Sequence, residues 1–466
     1  MPQPFQLTVS MLGCLLLASC STIDSRVEPS TPIVANQWSA DELQQQMDRE
    51  PWLDSFSNSG LNQLVAEALA ANYSLRAARA RSEVALAKAR IAGADRYPEL
   101  NAGLDALRRK QTQGGESTID NSFSAELELV WELDLWGRLD ASTQAALNDY
   151  LASQAEFEQA RFQLAADVAS AWFNLSEARM QLDLVERRLN NQSSNLEIIR
   201  QNYLSGLSDS LDLYLARADL EGDRSRRQAR LQTLKQRTRE LEILLGRYPA
   251  TALEAPASVP TLTEPPPAGL PSELLQRRQD LIAARLSLRA ADLRAEEAHL
   301  QRYPRLRLTA TGGTRSDELG DLLRSDYLGW SLLGGLTAPL FNAGRLEAGE
   351  LQARARTREA EADYSATVQR AFAEVEQALG DEGLLLEQQR ALKNAATDSI
   401  SAEKLAFESY RSGLVEFVTV LESQRRSFDA QSAEIEVRNR LLQNRINLYL
   451  ALGGDFALSP SPLEEP

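Results

Sequence analysis

The chain has 466 residues, of which 43% are hydrophobic and 25% are charged, so it can bury a large core and, by length alone, form two or three domains. Its net charge of −16 argues against nucleic acid or anionic lipid headgroups as partners. The only histidine is His299, which we expect to be an ordinary helix residue. One histidine cannot form a histidine-based metal cluster, and acid–base catalysis by histidine would depend on this residue alone. The sequence shows neither a glycine-rich phosphate loop nor a nucleophile elbow. We expect no enzyme activity and no cofactor.

The N-terminus has the pattern of a targeting segment. The apolar run at residues 11–18 is too short to span a bilayer but has the length of a secretory signal core. The letters LASC at residues 17–20 resemble a bacterial lipobox, which implies a signal peptide at residues 1–19 and a covalent lipid on Cys20. Because the start of the chain lacks the usual Lys and Arg, an ordinary signal peptide is the alternative. Ser21 after the cysteine resembles the sorting pattern for the outer membrane.

The next segments predict a tether, a helical region and a first strand. Residues 20–57 mix Pro, Ser and acidic groups, which indicates a lipidated tether with a short helix near residues 41–50. An Ala-rich helical pattern follows at residues 59–94. Alternating apolar and polar residues then predict strands at about 98–110 and 122–136, separated by a glycine-containing loop.

The second of these strands lies in the most distinctive stretch of the chain. Residues 123–138 read FSAELELVWELDLWGR, with an apolar residue at every second position. A period of two places the apolar residues on one face and the acidic residues on the other. In a membrane, the acidic face would line a water-filled lumen and the apolar face would meet lipid; a soluble hairpin capping a helical rod is the alternative. The predicted lumen residues are Glu126, Glu128, Glu132 and Asp134.

Very long helices follow. A helical pattern at about 140–205 would extend ~100 Å at ~1.5 Å per residue, and Gly206 ends it. A second helix is predicted at about 210–245, followed by a Pro-rich linker at 249–271. Helices of this length are typical of coiled coils or bundles, and the sequence does not separate a tube from a solid coiled coil.

The chain then repeats this order of elements. Tyr97-Pro98 recurs as Tyr303-Pro304, at an offset of 206. Three further landmarks recur at an offset of 207: Gly137-Arg138-Leu139 as Gly344-Arg345-Leu346, Gly206-Leu207 as Gly413-Leu414, and Leu245-Gly246 as Leu452-Gly453. Such agreement predicts two tandem repeats of helix, strand, strand, long helix and helix.

The boundaries follow from these landmarks. We predict a first repeat at residues 58–248, a second at 272–455 and a tail at 456–466. The second repeat has strands at about 304–315 and 326–341. Its long helix, at about 345–412, is expected to break at Gly349 and in the region of Gly380 and Gly383. Four strands cannot close a barrel and an open edge cannot lie in lipid, so strands of other copies must complete the sheet.

Several motifs together resemble the TolC-like outer-membrane efflux channels, and in particular their NodT-type lipoprotein branch. The similar segments span nearly the whole chain in order: WELDLWGR at 131–138, LPSELL at 270–275, PLF at 339–341, YRSG at 410–413, VLESQR at 420–425 and LYLALGG at 448–454. Two positions depart from the family pattern, with Gln279 in place of Pro and Glu422 in place of Asp. The resemblance implies a fold that is mainly α with membrane β: a homotrimer with a 12-stranded β-barrel in the outer membrane on a 12-helix periplasmic α-barrel.

The resemblance also implies where the channel is gated. Asp212 and Glu422 fall at gate positions, where three Glu422 side chains would raise one another's pKa and attract cations. Arg411 and Arg425 would pair with acids on the neighbouring coil, and Tyr203 and Tyr410 would lock the tips by packing or hydrogen bonds. The adaptor would contact two tip turns, formed by Gly206, Leu207, Ser208 and Asp209 and by Gly413, Leu414, Val415 and Glu416.

The leading functional hypothesis is therefore a passive exit duct of a tripartite efflux pump. Its implied partners are a periplasmic adaptor, or membrane fusion, protein and an inner-membrane pump of the RND type. Alternatives are a duct for type I protein secretion and a non-conducting periplasmic coiled-coil scaffold. The lipobox and the LPSELL segment favour the efflux branch.

Overall fold

The computed structural model describes residues 38–39, 52–256, 258–260, 262, 266, 269 and 271–454. The predicted signal peptide, Cys20 and the predicted helix at 41–50 lie outside these residues. The first half contains α1 (Ser59–Ala71), α2 (Tyr73–Ala94), β1 (Glu99–Gln113), β2 (Glu116–Leu133), α3 (Arg138–Leu204) and α4 (Ser210–Leu244). The second half contains α5 (Pro271–Arg277), α6 (Gln279–Leu300), β3 (Arg305–Ser316), β4 (Leu328–Thr337), α7 (Arg345–Arg411) and α8 (Phe417–Ala451).

Both halves thus have the predicted order of helices and strands, and the match extends to element length. α3 and α7 each have 67 residues, and α4 and α8 each have 35. At ~1.5 Å per residue, α3 and α7 are ~100 Å long. The predicted breaks in α7 at Gly349, Gly380 and Gly383 are wrong, because the helix is continuous. A helical Gly costs ~1 kcal/mol relative to Ala, which packing of fully buried Val368 and Val375 can offset.

The predicted helical pattern at 59–94 is divided into two helices by Asn72. Its backbone N–H ends α1 on the carbonyl of Ala68, and its side-chain oxygen accepts from Leu75 N at 3.0 Å to begin α2. The side-chain amide also donates to the carbonyl of Leu244 at 2.9 Å. One residue therefore ends one helix, begins the next and fixes both to the end of α4. Asn is favoured at helix N-termini for this reason.

The four strands form one antiparallel sheet in the order β1-β2-β3-β4. β1 and β2 meet in a two-residue turn at Gly114 and Gly115, whose positive φ angles of 62° and 93° suit a tight hairpin. β2 consequently begins at Glu116 and not at about 122 as predicted. The sequence missed this part because all its residues except Ile119 are polar, so it shows no apolar alternation.

Two strand ends also differ from the prediction. β2 ends at Leu133, so Asp134 lies outside the strand that was expected to continue to 136. β4 ends at Thr337, four residues before the predicted end. Thr337 lies opposite Arg305, the first residue of β3, so the chain beyond it has no strand of the same copy to pair with.

The core lies where the helices of both repeats meet. One cluster contains fully buried side chains of Leu61, Phe173, Leu241 and Ile446, which join α1, α3, α4 and α8. A second cluster joins α5, α6, α7 and the end of α8, and Trp38 packs into it. The Trp38 indole donates to the carbonyl of Gly269 at 2.9 Å, which fixes the start of the described chain to the linker. None of the described helices is long and apolar enough to cross a membrane.

Glu242 near the end of α4 holds the start of the linker. Its carboxylate is 2% exposed and accepts the backbone N–H groups of Thr251, Ala252 and Leu253 at 2.8, 2.7 and 3.2 Å. Burial opposes ionisation of Glu242, but these three N–H donors outweigh it and lower its pKa. A depressed pKa stabilises the fold above the unfolded value of 4.5, and the stabilisation is lost as the pH falls through the folded pKa.

We therefore expect Glu242→Gln to lower the free energy of unfolding by ~1–3 kcal/mol at neutral pH, because a charged acceptor of three donors is lost. The difference from the wild type should shrink as the pH falls below 4.5. Denaturant unfolding at several pH values measures it, with the exposed linker residue Glu254→Gln as the matched control. A difference that stays constant with pH would contradict this role of the Glu242 carboxylate.

Candidate gate at the helical tips

The helices form two helical hairpins, α3 with α4 and α7 with α8, and the turns at their tips have the same structure. Gly206 and Gly413 have φ angles of 72° and 70°, which favour glycine. At the first tip, Leu207 N donates to the Asn202 carbonyl at 2.8 Å, and at the second Leu414 N donates to the Ser409 carbonyl at 2.9 Å. These bonds end α3 and α7 by the same glycine-dependent motif. The repeat therefore extends to the hydrogen bonds of the turns.

A hydrogen-bonded link connects the two tips. The hydroxyl of Tyr410, near the end of α7, donates to Asp212 Oδ2 at 3.0 Å in the first turn of α4. The Tyr410 oxygen also lies 3.1 Å from the hydroxyl of Ser208 in the first tip. Ser208 and Asp212 thus hold one side chain of the second hairpin. We call these three residues the tip link.

The tip link lies against a small apolar cluster. The ring of Tyr410 packs on that of Phe417 with centroids 5.3 Å apart, and Phe417 is 1% exposed. Ile199, Ala216 and Val420 complete this cluster with residues of α3, α4 and α8. Burial raises the pKa of Tyr410, the Ser208 hydroxyl opposes the rise, and the negative charge of Asp212 adds to it. Tyr410 therefore remains a hydrogen-bond donor at neutral pH.

Tyr203 is the counterpart of Tyr410 in the first repeat, but it has a different environment. Its side chain is 42% exposed and its hydroxyl donates to none of the described residues. The sequence predicted the same role for both tyrosines, because each lies three residues before a tip glycine. Of the two tyrosines, Tyr410 is the one that links the tips by hydrogen bonds in the described part of the chain.

Glu422 lies on α8, one turn and a half beyond the second tip. Its carboxylate accepts from Arg425 at 2.9 Å and from Arg426 at 2.7 Å. Hydrogen bonds from Arg426 and then Arg425 lower the pKa of Glu422. We expected three Glu422 side chains to raise one another's pKa; within one copy the two arginines act in the opposite direction. Arg425 also pairs with Asp429 of its own helix. That Arg425 pairs with acids on a neighbouring coil stays a prediction.

The remaining tip residues are arranged as follows. Leu207 and Leu414 are 78% and 76% exposed, and they lie at equivalent positions of the two turns. Asp209 begins α4 by accepting from Asp212 N at 3.1 Å, whereas Glu416 begins α8 without a side-chain cap. Val415 is half-buried. That these turns contact an adaptor stays a prediction.

Polar contacts above the tips connect α3 to its neighbours. Arg188 of α3 donates to Asp223 of α4 at 2.8 Å, and Asp223 is fully buried. Gln192 of α3 donates to Gln424 of α8 at 3.0 Å, with both side chains buried. These bonds hold α4 and α8 on the same central helix. Buried polar groups that are paired in this way are costly to separate.

The sheet places the acidic residues of β2 on one face, as its period of two predicts. Glu126 lies between Gly103 of β1 and Gly313 of β3, and Glu128 lies between Asn101 and Thr311. Glu132 is opposite Arg307 of β3 and also forms an ion pair of 2.8 Å with Arg138. The acidic face is therefore partly neutralised. That it lines a lumen stays a prediction.

Asp134 has a structural role that the sequence did not predict. Its two carboxylate oxygens accept the N–H groups of Leu139 and Asp140 at 3.1 and 2.8 Å, at the start of α3. Helix N-termini favour such an acceptor because their first N–H groups have no partner within the helix. Asp134 therefore belongs to the junction between sheet and helix and not to the strand.

Three charged groups were missed by the sequence reasoning. They are Asp223 with Arg188, Glu242 with the linker, and Glu382 with Arg445. Arg445 gave a usable signal, since it is the one charged residue in the stretch LLQNRINLYL at residues 441–450. Asp223 and Glu242 gave none, because acids are frequent throughout α4.

Taken together, two repeated helical hairpins about 100 Å long, linked at their tips and joined to amphipathic strands, define the class of two-repeat channel proteins of bacterial outer membranes. The family model described as "Outer membrane efflux protein" matches residues 64–247 and 270–454. The chain therefore belongs to the outer membrane efflux protein family.

Individual relatives agree over nearly their whole length. The chain is 34% identical to outer membrane protein OprJ of Pseudomonas aeruginosa over 457 residues, which cover 96% of this chain and 95% of OprJ. It is 30% identical to the cation efflux system protein CusC of Escherichia coli, covering 95% and 97% of the two chains. The open state of the outer membrane channel MtrE of Neisseria gonorrhoeae is similar with a TM-score of 0.83 at 29% identity, covering 91% and 97%.

Proposed function

We propose that this protein is the outer-membrane exit duct of a tripartite efflux pump, which conducts small toxic molecules passively from the periplasm to the exterior. The observation that carries the proposal is the pair of equal helical hairpins that extend from one amphipathic sheet and meet in linked tips. Membership of the outer membrane efflux protein family and the relative CusC, which is named for cation efflux, support it.

The duct is a homotrimer. One copy supplies four strands with two open edges, and large apolar side chains on the sheet are exposed, including Leu104 at 82% and Trp330 at 83%. Open strand edges and exposed apolar rows are unfavourable in water, and open edges are unfavourable in lipid. Three copies supply the twelve strands of the β-barrel and the twelve helices of the α-barrel, since each copy contributes four strands and the helices α3, α4, α7 and α8.

The periplasmic end is gated at the tips. Opening requires the hairpin of α7 and α8 to move from that of α3 and α4, which breaks the bonds of Tyr410 to Asp212 and Ser208. A periplasmic adaptor opens the gate by binding the open state better than the closed one, with the turns at Gly206 and Gly413 as its contact. The energy comes from an inner-membrane pump of the RND type.

A lipid on Cys20 anchors the protein to the outer membrane, in addition to the strands. We expect Cys20→Ala to abolish labelling with radioactive palmitate, because the thiol that carries the lipid is lost. Cys14→Ser is the matched control, since Cys14 would leave with the signal peptide and labelling should persist. Normal palmitate labelling of Cys20→Ala would refute the anchor.

Export in cells tests the proposed function directly. Deletion of the gene should raise intracellular accumulation of fluorescent efflux substrates such as ethidium, and expression of the wild-type chain should restore the low level. Unchanged accumulation of a panel of dyes, biocides and metal ions in the deletion strain would contradict an efflux role. Selective loss of a secreted protein would favour the secretion duct.

A further inference from the structure

Three consecutive cations lie near the end of β1 that is farthest from the long helices. They are Arg108, Arg109 and Lys110, and all three side chains are exposed. The turn at Gly114 and Gly115 follows shortly after them, so in the proposed duct this end of the sheet faces the exterior. An inference about these cations rests on the proposed function in that respect. The net charge of −16 argues against anionic lipid as a partner of the chain as a whole, but a local cluster of positive charge can differ from that average.

The alternation of the strand divides these cations between the two faces of the sheet. Arg108 and Lys110 lie on the apolar face with Leu104, whose side chain is 82% exposed. Arg109 lies on the opposite face, together with the acidic residues of β2. In the proposed barrel the apolar face meets lipid and the acidic face lines the lumen. Two cations therefore face the membrane and one faces the water-filled pore.

The residues opposite the cations in β2 distinguish the two faces further. Asp120 lies opposite the cation that faces the lumen, so that charge has an acid beside it. The two membrane-facing cations lie opposite neutral residues, Asn121 and Ile119. Within the described chain, no ion pair or hydrogen bond connects either membrane-facing cation to another side chain. Their charge is therefore available to a partner outside the chain.

Aromatic residues on the same face indicate the level of these cations in the membrane. Phe123 and Trp131 of β2 both belong to the apolar face, and the segment from one to the other is nine residues long. A tilted strand crosses the hydrocarbon core in ~9–11 residues, and aromatic girdles mark the two boundaries of that core. Phe123 is opposite Ala106 of β1, and the two cations lie two and four residues beyond Ala106, which is ~7 and ~13 Å along the strand. They therefore lie at the level of the outer headgroups and not in the hydrocarbon.

We propose that Arg108 and Lys110 bind the phosphate groups of lipid headgroups in the outer leaflet of the membrane. A guanidinium donates to two phosphate oxygens at once, and an ammonium attracts phosphate as a point charge. The Cα atoms of the two residues are ~7 Å apart along the strand, so the pair can contact two phosphates of one headgroup. The apolar stems of both side chains lie against the acyl chains while the charges reach the headgroups. Each copy then holds lipid at the outer rim of the barrel.

Lipid binding to the purified full-length trimer tests the proposal, with diphosphoryl lipid A as the probe and native mass spectrometry as the readout. The double variant Arg108→Gln and Lys110→Gln should bind this lipid at least tenfold more weakly than the wild type, because each cation near a lipid surface contributes about a fivefold change in affinity. Each single variant should lose about fivefold. Arg109→Gln is the matched control, since it removes the adjacent charge on the lumen face and should keep the wild-type affinity. Monophosphoryl lipid A should bind the wild type more weakly, because one phosphate is missing.

Equal affinity of the double variant and the wild type for diphosphoryl lipid A would overturn the proposal, and so would an equal loss of affinity in Arg109→Gln. Equal binding of the two lipids by the wild type would also overturn it, because the sugar and the acyl chains would then account for the binding. Conductance of the same preparations in planar bilayers separates this result from the proposed function. A wild-type channel that conducts despite any of these results leaves the exit duct standing and removes the lipid surface alone. Wild-type protein that neither conducts nor binds lipid A would overturn both.

Discussion

Tyr410→Phe is expected to open the periplasmic tip and raise the mean conductance of the purified channel by at least tenfold. The substitution removes only the hydroxyl that donates to Asp212 and meets Ser208, while the ring stays packed on Phe417. A hydrogen bond to a charged group contributes ~1.5–3 kcal/mol, and each 1.4 kcal/mol is about a tenfold change in an equilibrium. Three tip links per trimer multiply this effect.

Tyr203→Phe is the matched control, because it makes the same chemical change at the equivalent position of the other repeat. Its hydroxyl bonds to none of the described residues, so conductance should stay at the wild-type level. Asp212→Asn should also raise the mean conductance, but less than Tyr410→Phe does, since a neutral amide oxygen still accepts a hydrogen bond. Equal conductance of Tyr410→Phe and Tyr203→Phe would show that the tip link does not hold the gate.

Glu382→Ala is expected to cause the largest loss of stability, ~3–5 kcal/mol. Glu382 of α7 and Arg445 of α8 form an ion pair of 2.5 Å with side chains 4% and 1% exposed. Asn444 also donates to Glu382, at 2.9 Å. Removal of the carboxylate takes from the buried guanidinium the acid that it contacts on α7, and α8 loses a buried polar connection to α7. Denaturant unfolding at fixed protein and detergent concentration measures the loss.

The same helix supplies a control for this prediction. Glu387 forms an ion pair with Arg390, and both side chains are 72% exposed, so Glu387→Ala should change the stability by less than ~1 kcal/mol. If Glu382→Ala were as mild as Glu387→Ala, the buried pair would not hold α7 against α8. If both were severe, the loss would come from the helix itself and not from the buried ion pair.

Much of the fold could be predicted because its signals are periodic or repeated. The alternation at residues 123–133 identified β2, and four recurring landmarks identified the repeat whose helices of 67 and 35 residues the structure contains. The tip turns followed from Gly206 and Gly413. These features depend on residues that are close in sequence, so one chain contains all the information needed.

The remaining features depend on residues that are far apart in sequence. The bond of Tyr410 to Asp212 joins residues separated by 198 positions, and only the fold shows that Tyr203 lacks such a partner. Asp134 fits the alternation of β2, yet the start of α3 needs an acceptor and the helix cap prevails. β4 was predicted to end at about 341 but ends at Thr337, because a strand needs a partner as well as a pattern.

The recording of single channels in planar lipid bilayers tests the central claim most directly. Purified wild-type protein should insert and give small events of low mean conductance. Tyr410→Phe, purified and recorded in the same way, should give large, sustained openings. Tyr203→Phe should match the wild type. Trimeric protein that inserts but never conducts, in the wild type and in Tyr410→Phe alike, would contradict a gated exit duct and favour a structural scaffold.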